Sequence, residues 1–359
     1  MTRSFDTAAA AVGPLDATAM ADAVARQRRL TKPAGSLGQL EAIGNQLCGI
    51  SGCCPPPLPT PAAVAVFAGD HGVLAEGVTP WPREVTAQMV ANFVAGGAAI
   101  SVLARQSGAN LIVVDVGVAT DLSALGLDGA PGLRRRRVRA GTGNLAVEPA
   151  MTEEEARRAL DVGAETATEL LEGGARCLVT GEMGIGSTTP AAALIAACTG
   201  VSPVQVTGRG TGIDDATLAH KVAVIQQALL LHASALDDGP LALLAAVGGL
   251  EIAALVGFIV GGAAARVPVV VDGVIADAAL LVAVSLVPEV VGFCIAGHRS
   301  AEPGATAVLD HLGLDAVLDL RMRLGEGSGA CLALPVIEAS ARLLGEMATF
   351  DSAGVTEKS

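Results

Sequence analysis

Two glutamates stand beside glycines in segments that follow predicted strands. Glu326 lies between Gly325 and Gly327, and Glu182 follows Gly181. Because glycines on both sides carry no covering side chain, the Glu326 carboxylate stays accessible and its position is set by the turn. Such a carboxylate can accept a proton, so Glu326 is a candidate general base. A turn acid that faces water is the alternative for Glu326, and a buried acid that shapes its turn is the alternative for Glu182.

A glycine-rich turn between a predicted strand and a predicted helix resembles a phosphate cradle. The helix N-terminus offers free N–H groups and partial positive charge, which bind anions. The residues that we expect to hold a phosphate are Gly184, Ile185, Gly186, Ser187, Thr188 and Thr189. No lysine precedes the hydroxyl residues, so this is not the loop of NTP-hydrolysing enzymes. An ordinary, tightly packed helix start is the alternative. A carboxylate at Glu182 would repel a phosphate, which favours a role for it on the substrate.

A cation is needed wherever an acidic chain binds a phosphate. The chain carries 23 basic and 36 acidic residues, a net charge of −13. Its three lysines are Lys32, Lys221 and Lys358. Lys221 follows a second glycine cluster, residues 207–214, which contains Gly208 and Gly210. We expect Lys221 to accompany the phosphate, the alternative being a solvated helix residue.

Other polar or aromatic residues follow predicted strands. Asp70 and His71 point to metal or acid–base chemistry, but the five histidines lack ligand spacing, so we expect no metal site. Trp81 and Gln88 are candidates to stack on and hydrogen-bond a flat aromatic substrate. Packing is the alternative for Trp81. Residues 298–300, His-Arg-Ser, either contact a ligand or lock their own loop.

The elements that position these residues form an alternating α/β pattern. Apolar runs without polar alternation indicate strands that are covered on both faces, and helical segments lie between most of them. The predicted strands are residues 64–67, 111–116, 177–180, 267–271, 291–295 and 316–320. The pattern predicts a mainly parallel sheet with its site outside the carboxyl ends of the strands.

Both ends of the chain read as helical and outside the sheet. Residues 15–50 and 335–349 are the helical stretches, and residues 51–61 form a connector with five prolines. We therefore expect an N-terminal helical segment over 1–60, a large α/β catalytic domain over 61–333, and a C-terminal helical segment over 334–359. The two terminal segments are expected to pack together as a small helical domain.

Composition excludes several classes of protein. A globally acidic chain without a basic and aromatic stripe is a poor nucleic-acid binder. Seven cysteines without a C-x-x-C pair argue against a disulfide framework and fit a reducing cytoplasm. The apolar stretch 242–265 carries Glu251 near its middle, which favours a buried pair of elements over a membrane span. A dinucleotide oxidoreductase is disfavoured because no G-x-G-x-x-G follows the first strand.

Taken together, these segments resemble the nicotinate-nucleotide–dimethylbenzimidazole phosphoribosyltransferases of cobalamin assembly. The matching pieces occur in family order: residues 32–41, 68–73, 84–90, 181–191, 208–212, 269–273, 296–300, 302–304 and 324–330. The resemblance implies transfer of phosphoribose from nicotinate mononucleotide to 5,6-dimethylbenzimidazole, which gives α-ribazole 5′-phosphate and nicotinate. It also implies a Rossmann-like sheet with a small helical domain, and a homodimer.

The resemblance also implies roles for single residues. Glu326 matches the family's base and Glu182 its second active-site glutamate, while residues 184–189 and Lys221 match its phosphate site. We expect Gln88, Thr79, Trp81 and Leu324 to surround the base and Gly208 and Gly210 to line the nucleotide, with no cofactor. The chain departs from the family pattern at Ser187, Ala305 and Arg321, which replace Asn, His and Gly. A non-catalytic benzimidazole or nucleotide binder, or a transferase for another azole or purine base, is the alternative.

Overall fold

A six-stranded parallel sheet forms the centre of the fold. The computed structural model describes residues 4–356, so Lys358 lies outside it. The strands are β1 (Ala62–Gly69), β2 (Asn110–Gly117), β3 (Leu133–Arg135), β4 (Cys177–Met183), β5 (Val269–Val271) and β6 (Cys294–Ala296). Their order is β3-β2-β1-β4-β5-β6, and every neighbouring pair is parallel. The predicted Rossmann-like, mainly parallel α/β sheet is confirmed.

Helices connect the strands and cover the sheet. They are α1 (Phe5–Ala11), α2 (Ala17–Arg29), α3 (Gln39–Ser51), α4 (Glu84–Val94), α5 (Ala99–Ser107), α6 (Glu153–Glu172), α7 (Thr188–Thr199), α8 (Pro203–Val206), α9 (Asp215–Leu231), α10 (Ala233–Asp237), α11 (Pro240–Val247), α12 (Leu250–Ala264), α13 (Val274–Leu286), α14 (Pro303–Leu312), α15 (Ser328–Glu346) and α16 (Phe350–Ala353). Short 3₁₀ turns occupy Gly72–Glu76, Leu122–Leu125 and Pro288–Phe293.

Side chains alternate between the two faces of the sheet. On one face Phe67 of β1 meets Phe258 of α12 edge to face, with 5.4 Å between ring centroids. On the opposite face, Val66 of β1 is paired with Gly181 of β4. A Cβ atom on Gly181 would lie 2.5 Å from the Glu326 carbonyl oxygen. The segment that carries Glu326 therefore approaches the face opposite to α12. All eight residues of β1 are buried, as the unbroken apolar run predicts.

The apolar stretch 242–265 forms two helices, α11 and α12, separated at Gly248 and Gly249. Residues 250–263 are all buried, and α6 packs along α12. The helices approach so closely that a Cβ atom on Gly257 would lie 1.9 Å from the Leu160 carbonyl oxygen. The buried pair of elements expected there is present.

Two other helical stretches, Glu84–Ser107 and Ser328–Glu346, are long and apolar enough to cross a membrane by length and composition alone. The first is broken between α4 and α5, and both carry buried faces.

The helices of the two chain ends pack on each other. Ala19 and Ala23 of α2, Leu30, Cys48 of α3 and Leu344 of α15 form a small apolar core of their own. Leu30 also bridges to Thr349 as an antiparallel pair. Helix α15 starts earlier than the sequence pattern indicates and runs continuously through Pro335 and the expected boundary at 333/334. The division into three segments remains a prediction.

At the β6 edge of the sheet, one expected strand begins later than predicted and another is wrong. Most of residues 291–295 lies in a 3₁₀ turn, and β6 keeps only three residues. Residues 316–320 form only an isolated bridge, between Leu318 and His298. Leu320 is 57% exposed, so this apolar run lacks the two-sided cover of a buried strand. The opposite edge strand, β3, contains the first two of four consecutive arginines, residues 134–137, and was not predicted because it is short and charged.

Candidate active site

A cavity of about 380 Å³ opens at the carboxyl ends of β4, β5 and β6. It is lined by parts of residues 181–189, 209–213, 272–276, 298–302 and 323–326, and by a rim that includes Thr79, Trp81, Val85 and Met89. The segments that lie far apart in the sequence meet here because parallel strands end at the same edge. The location is the one that the sheet topology predicts for a ligand.

The turn after β4 is held tightly in place. Gly184 has no room for a side chain, since a Cβ atom would lie 2.5 Å from the Gly69 carbonyl oxygen, and Gly186 has a φ of +90°. Ile185 donates its N–H to Thr86 Oγ1 at 3.1 Å. Helix α7 then begins at Thr188. The sequence-predicted phosphate turn thus forms at a helix N-terminus and faces the cavity with all six of its residues.

Lys221 of α9 reaches this turn and lines the cavity with it. Its side chain is 2% exposed, and its Nζ donates to Thr188 Oγ1 at 2.7 Å and to the Gly208 carbonyl oxygen at 3.4 Å. Burial lowers the pKa of Lys221 to about 8, against the opposing charge of Glu302. The lysine is therefore a locally placed cation beside the turn and not a solvated residue.

Glu302 organises the second glycine cluster, and sequence reasoning gave it no role. Its Oε1 accepts the N–H of Gly210 at 2.9 Å, and its Oε2 fills the space that a Cβ atom on Gly208 would need. Gly210 lines the cavity, whereas Gly208 lies behind it and contacts Lys221 through its carbonyl. Its position directly before Pro303, which begins α14, is the sequence signal from which a structural role of Glu302 could have been predicted.

The two glutamates approach each other across Gly325. A Cβ atom on Gly325 would lie 2.5 Å from Glu182 Oε1, so only glycine fits between them. Burial raises the pKa of Glu182 to about 8, and the charges of Glu251 and Asp272 add to the shift. Glu182 is therefore mostly protonated at neutral pH. An uncharged Glu182 does not repel a phosphate, which removes the electrostatic conflict that the sequence presented.

Glu326 lies in a turn with left-handed backbone, at a φ of +65°. Its Oε2 accepts the N–H of Ile100 at 3.2 Å, and its side chain lines the cavity. Burial raises the pKa of Glu326, the Ile100 N–H opposes the shift, and the charge of Asp272 adds to it. A carboxylate with a raised pKa is a better proton acceptor in its ionised form.

Asp70 and His71 lie beneath the turn 184–189 and do not line the cavity. His71 Nε2 lies 2.9 Å from Glu251 Oε1, and both side chains are buried. Burial by itself would lower the pKa of His71, but the charge of Glu251 outweighs it and the pKa is raised. His71 also packs on Gly184, where a Cβ atom would lie 3.0 Å from its Nε2. Across residues 4–356, no three His, Cys, Asp or Glu side chains group as metal ligands do.

The expected base-binding residues divide into two groups. Thr79, Trp81 and Leu324 line the cavity, and Trp81 and Leu324 are 48% and 55% exposed at its rim. Gln88 is exposed on α4 and does not line the cavity, because the face of α4 that turns inward carries Val85 and Met89. Contact of Gln88 with the base stays a prediction. Arg209 and Arg323 complete the rim, and sequence reasoning named neither.

Comparison with known proteins places this site in a family. A family model described as "Phosphoribosyltransferase" matches residues 12–355. A nicotinate-nucleotide–dimethylbenzimidazole phosphoribosyltransferase of Salinispora tropica is 57% identical over 97% of this chain and 98% of its own length. One of the same name from Chloroflexus aurantiacus is 54% identical over 97% of both chains. The chain belongs to the nicotinate-nucleotide–dimethylbenzimidazole phosphoribosyltransferase family.

The fold of this phosphoribosyltransferase also matches a solved member. The crystal structure of the nicotinate-nucleotide–dimethylbenzimidazole phosphoribosyltransferase from Thermus thermophilus superposes with a TM-score of 0.90. The two chains share 45% identity, and the match covers 96% of this chain and all of the other. The resemblance inferred from the sequence motifs is confirmed over nearly the whole chain.

The departures from the family pattern have separate structural settings. Ser187 lines the cavity beside Glu182, where its hydroxyl opposes the rise of the pKa of Glu182. Arg321 has a φ of +56°, a conformation that glycine adopts without strain, so the glycine of the family pattern has a backbone reason. Ala305 is fully buried in α14 and does not line the cavity. Only Ser187 of the three therefore stands among the groups that face a ligand.

Proposed function

We propose that this phosphoribosyltransferase moves the 5-phosphoribosyl group from nicotinate mononucleotide to 5,6-dimethylbenzimidazole, with inversion at C1′. The products are nicotinate and α-ribazole 5′-phosphate, which supplies the lower ligand of cobalamin. One observation carries the proposal: a single cavity is lined by the glycine-rich turn 184–189, by Lys221, which donates to that turn, and by the glycine-flanked Glu326. Such a cavity can hold the phosphate of one substrate while a proton leaves the other.

The leaving group requires no acid. Nicotinate departs from a pyridinium as a neutral ring nitrogen, so its departure needs no added proton. The attacking benzimidazole uses one ring nitrogen, and the N–H on its other nitrogen becomes acidic as the new C–N bond forms. The Glu326 carboxylate accepts that proton, a step that contributes about 10²–10⁴-fold to typical enzyme rates. Attack on the face opposite to nicotinate converts the β-nucleotide into an α-product.

The remaining acceleration comes from holding the two substrates together. The turn 184–189 and Lys221 anchor the phosphate, while Thr79, Trp81 and Leu324 surround the base. Alignment of two bound reactants converts a bimolecular step into an effectively unimolecular one. The mostly protonated Glu182 can donate a hydrogen bond to the substrate without repelling the phosphate.

Incubation with nicotinate mononucleotide and a panel of benzimidazoles, other azoles and purines tests the function. We expect nicotinate release in equal amount to a product of the mass of α-ribazole 5′-phosphate, with α configuration by NMR. Binding of the azole without nicotinate release would instead identify a non-catalytic binder. Faster turnover of another azole or a purine than of dimethylbenzimidazole would reassign the acceptor.

Replacement of Lys221 with Met should weaken the binding of nicotinate mononucleotide selectively. Methionine keeps the apolar stem and removes a charge-assisted hydrogen bond, which is worth about 1.5–3 kcal/mol. We expect the KM for the mononucleotide to rise roughly 10- to 150-fold, and the KM for dimethylbenzimidazole to change less than about threefold. Arg157→Met on the exposed surface of α6 is the matched control. Equal effects on both substrates would contradict the phosphate role.

The pH dependence of kcat should separate the two glutamates. Glu326 must be ionised, so kcat rises as the pH increases through its raised pKa. Glu182 must stay protonated, so kcat falls above a pH of about 8. Glu182→Gln should remove that fall. At pH 9 the kcat of the wild type should be roughly tenfold below its maximum, whereas the kcat of the variant should be unchanged. Saturating substrates are required because deprotonation of Lys221 acts on binding over the same range. An unchanged alkaline limb in Glu182→Gln would contradict this assignment.

Two further properties complete the proposal. All seven cysteines are free, which supports a reducing, cytoplasmic setting.

The homodimer that the family resemblance implies requires exposed apolar surface, and Val204, Leu230 and Leu231 provide some on α8 and α9. Light scattering coupled to gel filtration measures the mass in solution. A monomer at micromolar concentration would contradict the dimer.

A further inference from the structure

Asp272 is a buried acid that connects the end of β5 to the segment carrying Glu326. Its Oδ2 accepts the N–H of Gly327 at 3.2 Å, and its Oδ1 accepts the N–H of Ala330 at 2.9 Å. These groups belong to the start of α15, which has no capping side chain of its own at Gly327. The carboxylate therefore caps α15 from a position directly after β5, 55 residues before Gly327 in the chain. Gly327 directly follows Glu326.

The backbone around Glu326 needs such support. Gly325, Glu326 and Gly327 have φ angles of +84°, +65° and +94°, all in the left-handed region. A residue other than glycine pays about 1–3 kcal/mol for such a conformation, which persists only where its surroundings enforce it. The hydrogen bond from Gly327 to Asp272 fixes the peptide after Glu326, and Ile100 fixes the carboxylate itself. Together they determine where the proton acceptor points.

His298 lies beside the Asp272 carboxylate. Its Nε2 lies 3.5 Å from Asp272 Oδ1, and the ring is 2% exposed. The ring lies against the first turn of α15, where a Cβ atom on Gly329 would be 2.0 Å from its Cδ2. Neither ring nitrogen of His298 makes a hydrogen bond to another group within residues 4–356. The histidine is thus packed between the carboxylate and the helix that the carboxylate caps.

We propose that Asp272, supported by His298, is the positioning residue that sets the direction of the Glu326 carboxylate toward the acceptor base. The inference rests on the proposed function, in which Glu326 takes the proton. Although Asp272 lines the cavity, in this proposal it acts through the backbone of residues 327–330 and not on the substrate phosphate. Its loss should therefore slow the chemical step and leave the binding of nicotinate mononucleotide almost unchanged.

Asp272→Asn is the first test. The amide keeps the volume of the side chain, but its NH2 group faces one of the two N–H groups and leaves it unpaired. We expect kcat to fall roughly 10- to 100-fold and the KM for nicotinate mononucleotide to change less than about threefold. Asp277→Asn is the matched control, since Asp277 is an equally buried acid on α13 that does not line the cavity. Equal losses in the two variants would overturn the proposal.

A milder variant guards against misfolding of Asp272→Asn. His298→Gln should retain the native circular dichroism and lose less kcat than Asp272→Asn, again without a large change in the KM for nicotinate mononucleotide. His298 lines the cavity, so a rise in that KM with unchanged kcat would mean that it binds the substrate directly. That result would overturn its positioning role.

A double-mutant cycle with Glu326→Gln separates this inference from the function on which it rests. If Asp272 acts through Glu326, Asp272→Asn should reduce kcat less than about threefold in the Glu326→Gln background. A full additional loss there would overturn the positioning role while the function stands. Absence of nicotinate release by the wild-type protein would instead overturn the function itself.

Discussion

Glu326→Gln is expected to reduce kcat by about 10²–10⁴-fold at saturating concentrations of both substrates. Glutamine preserves the size of the side chain and the acceptor for the Ile100 N–H, but it cannot take a proton from the benzimidazole. The KM for nicotinate mononucleotide should change little because the phosphate is held by another segment. Steady-state nicotinate release, measured by chromatography, gives both constants.

The control for this variant is Glu289→Gln, which removes a carboxylate from the surface near the far end of α13. It should leave kcat within about twofold of the wild-type value. A kcat loss below threefold in Glu326→Gln would show that another group takes the proton. The base assignment would then be wrong even if the product is confirmed.

Disruption of the His71–Glu251 pair is expected to destabilise the fold more than any surface substitution. Each partner is buried and compensates the charge of the other across 2.9 Å. Removal of one partner from a buried pair costs about 3–5 kcal/mol, because the remaining group is left without compensation. Glu251→Leu and His71→Leu should each lower the free energy of unfolding in urea by that amount. The double variant should lose less than the sum of the two.

The same pair predicts a pH dependence of stability. The pKa of His71 is raised in the folded state, so the stabilisation from its protonation is complete below the ordinary histidine pKa. It is lost as the pH rises through the raised value.

Glu172→Gln at the exposed end of α6 is the control for Glu251→Leu and His71→Leu. Its free energy of unfolding should stay within about 0.5 kcal/mol of the wild-type value. Single variants as stable as this control would contradict the assignment of a charged pair.

The sheet was largely predictable because buried parallel strands have a simple sequence signature. The run within β1 is apolar at every position, and the predicted runs within β2 and β4 are apolar apart from the buried Asp115 and Thr180. Residues 316–320 show the same composition but lie at the rim, where half-exposed leucines are tolerated. Composition alone does not distinguish these two settings.

The site was predictable where one short segment carries its chemistry. The turn 184–189 and the glycine-flanked Glu326 are both local patterns. The contacts of Asp272, Glu302 and Glu251 are not local, since each joins segments more than 50 residues apart. Gln88 is not among the lining residues although its helix lies at the cavity, because the helical period places its side chain on the exposed face. Which face of a helix meets the site is decided by packing.

A crystal structure with α-ribazole 5′-phosphate bound tests the proposed site as a whole. We expect the phosphate against residues 184–189 and Lys221, and the free ring nitrogen of the benzimidazole about 3 Å from a Glu326 oxygen. An empty turn, with the side chain of residue 326 directed away from the ring, would contradict it.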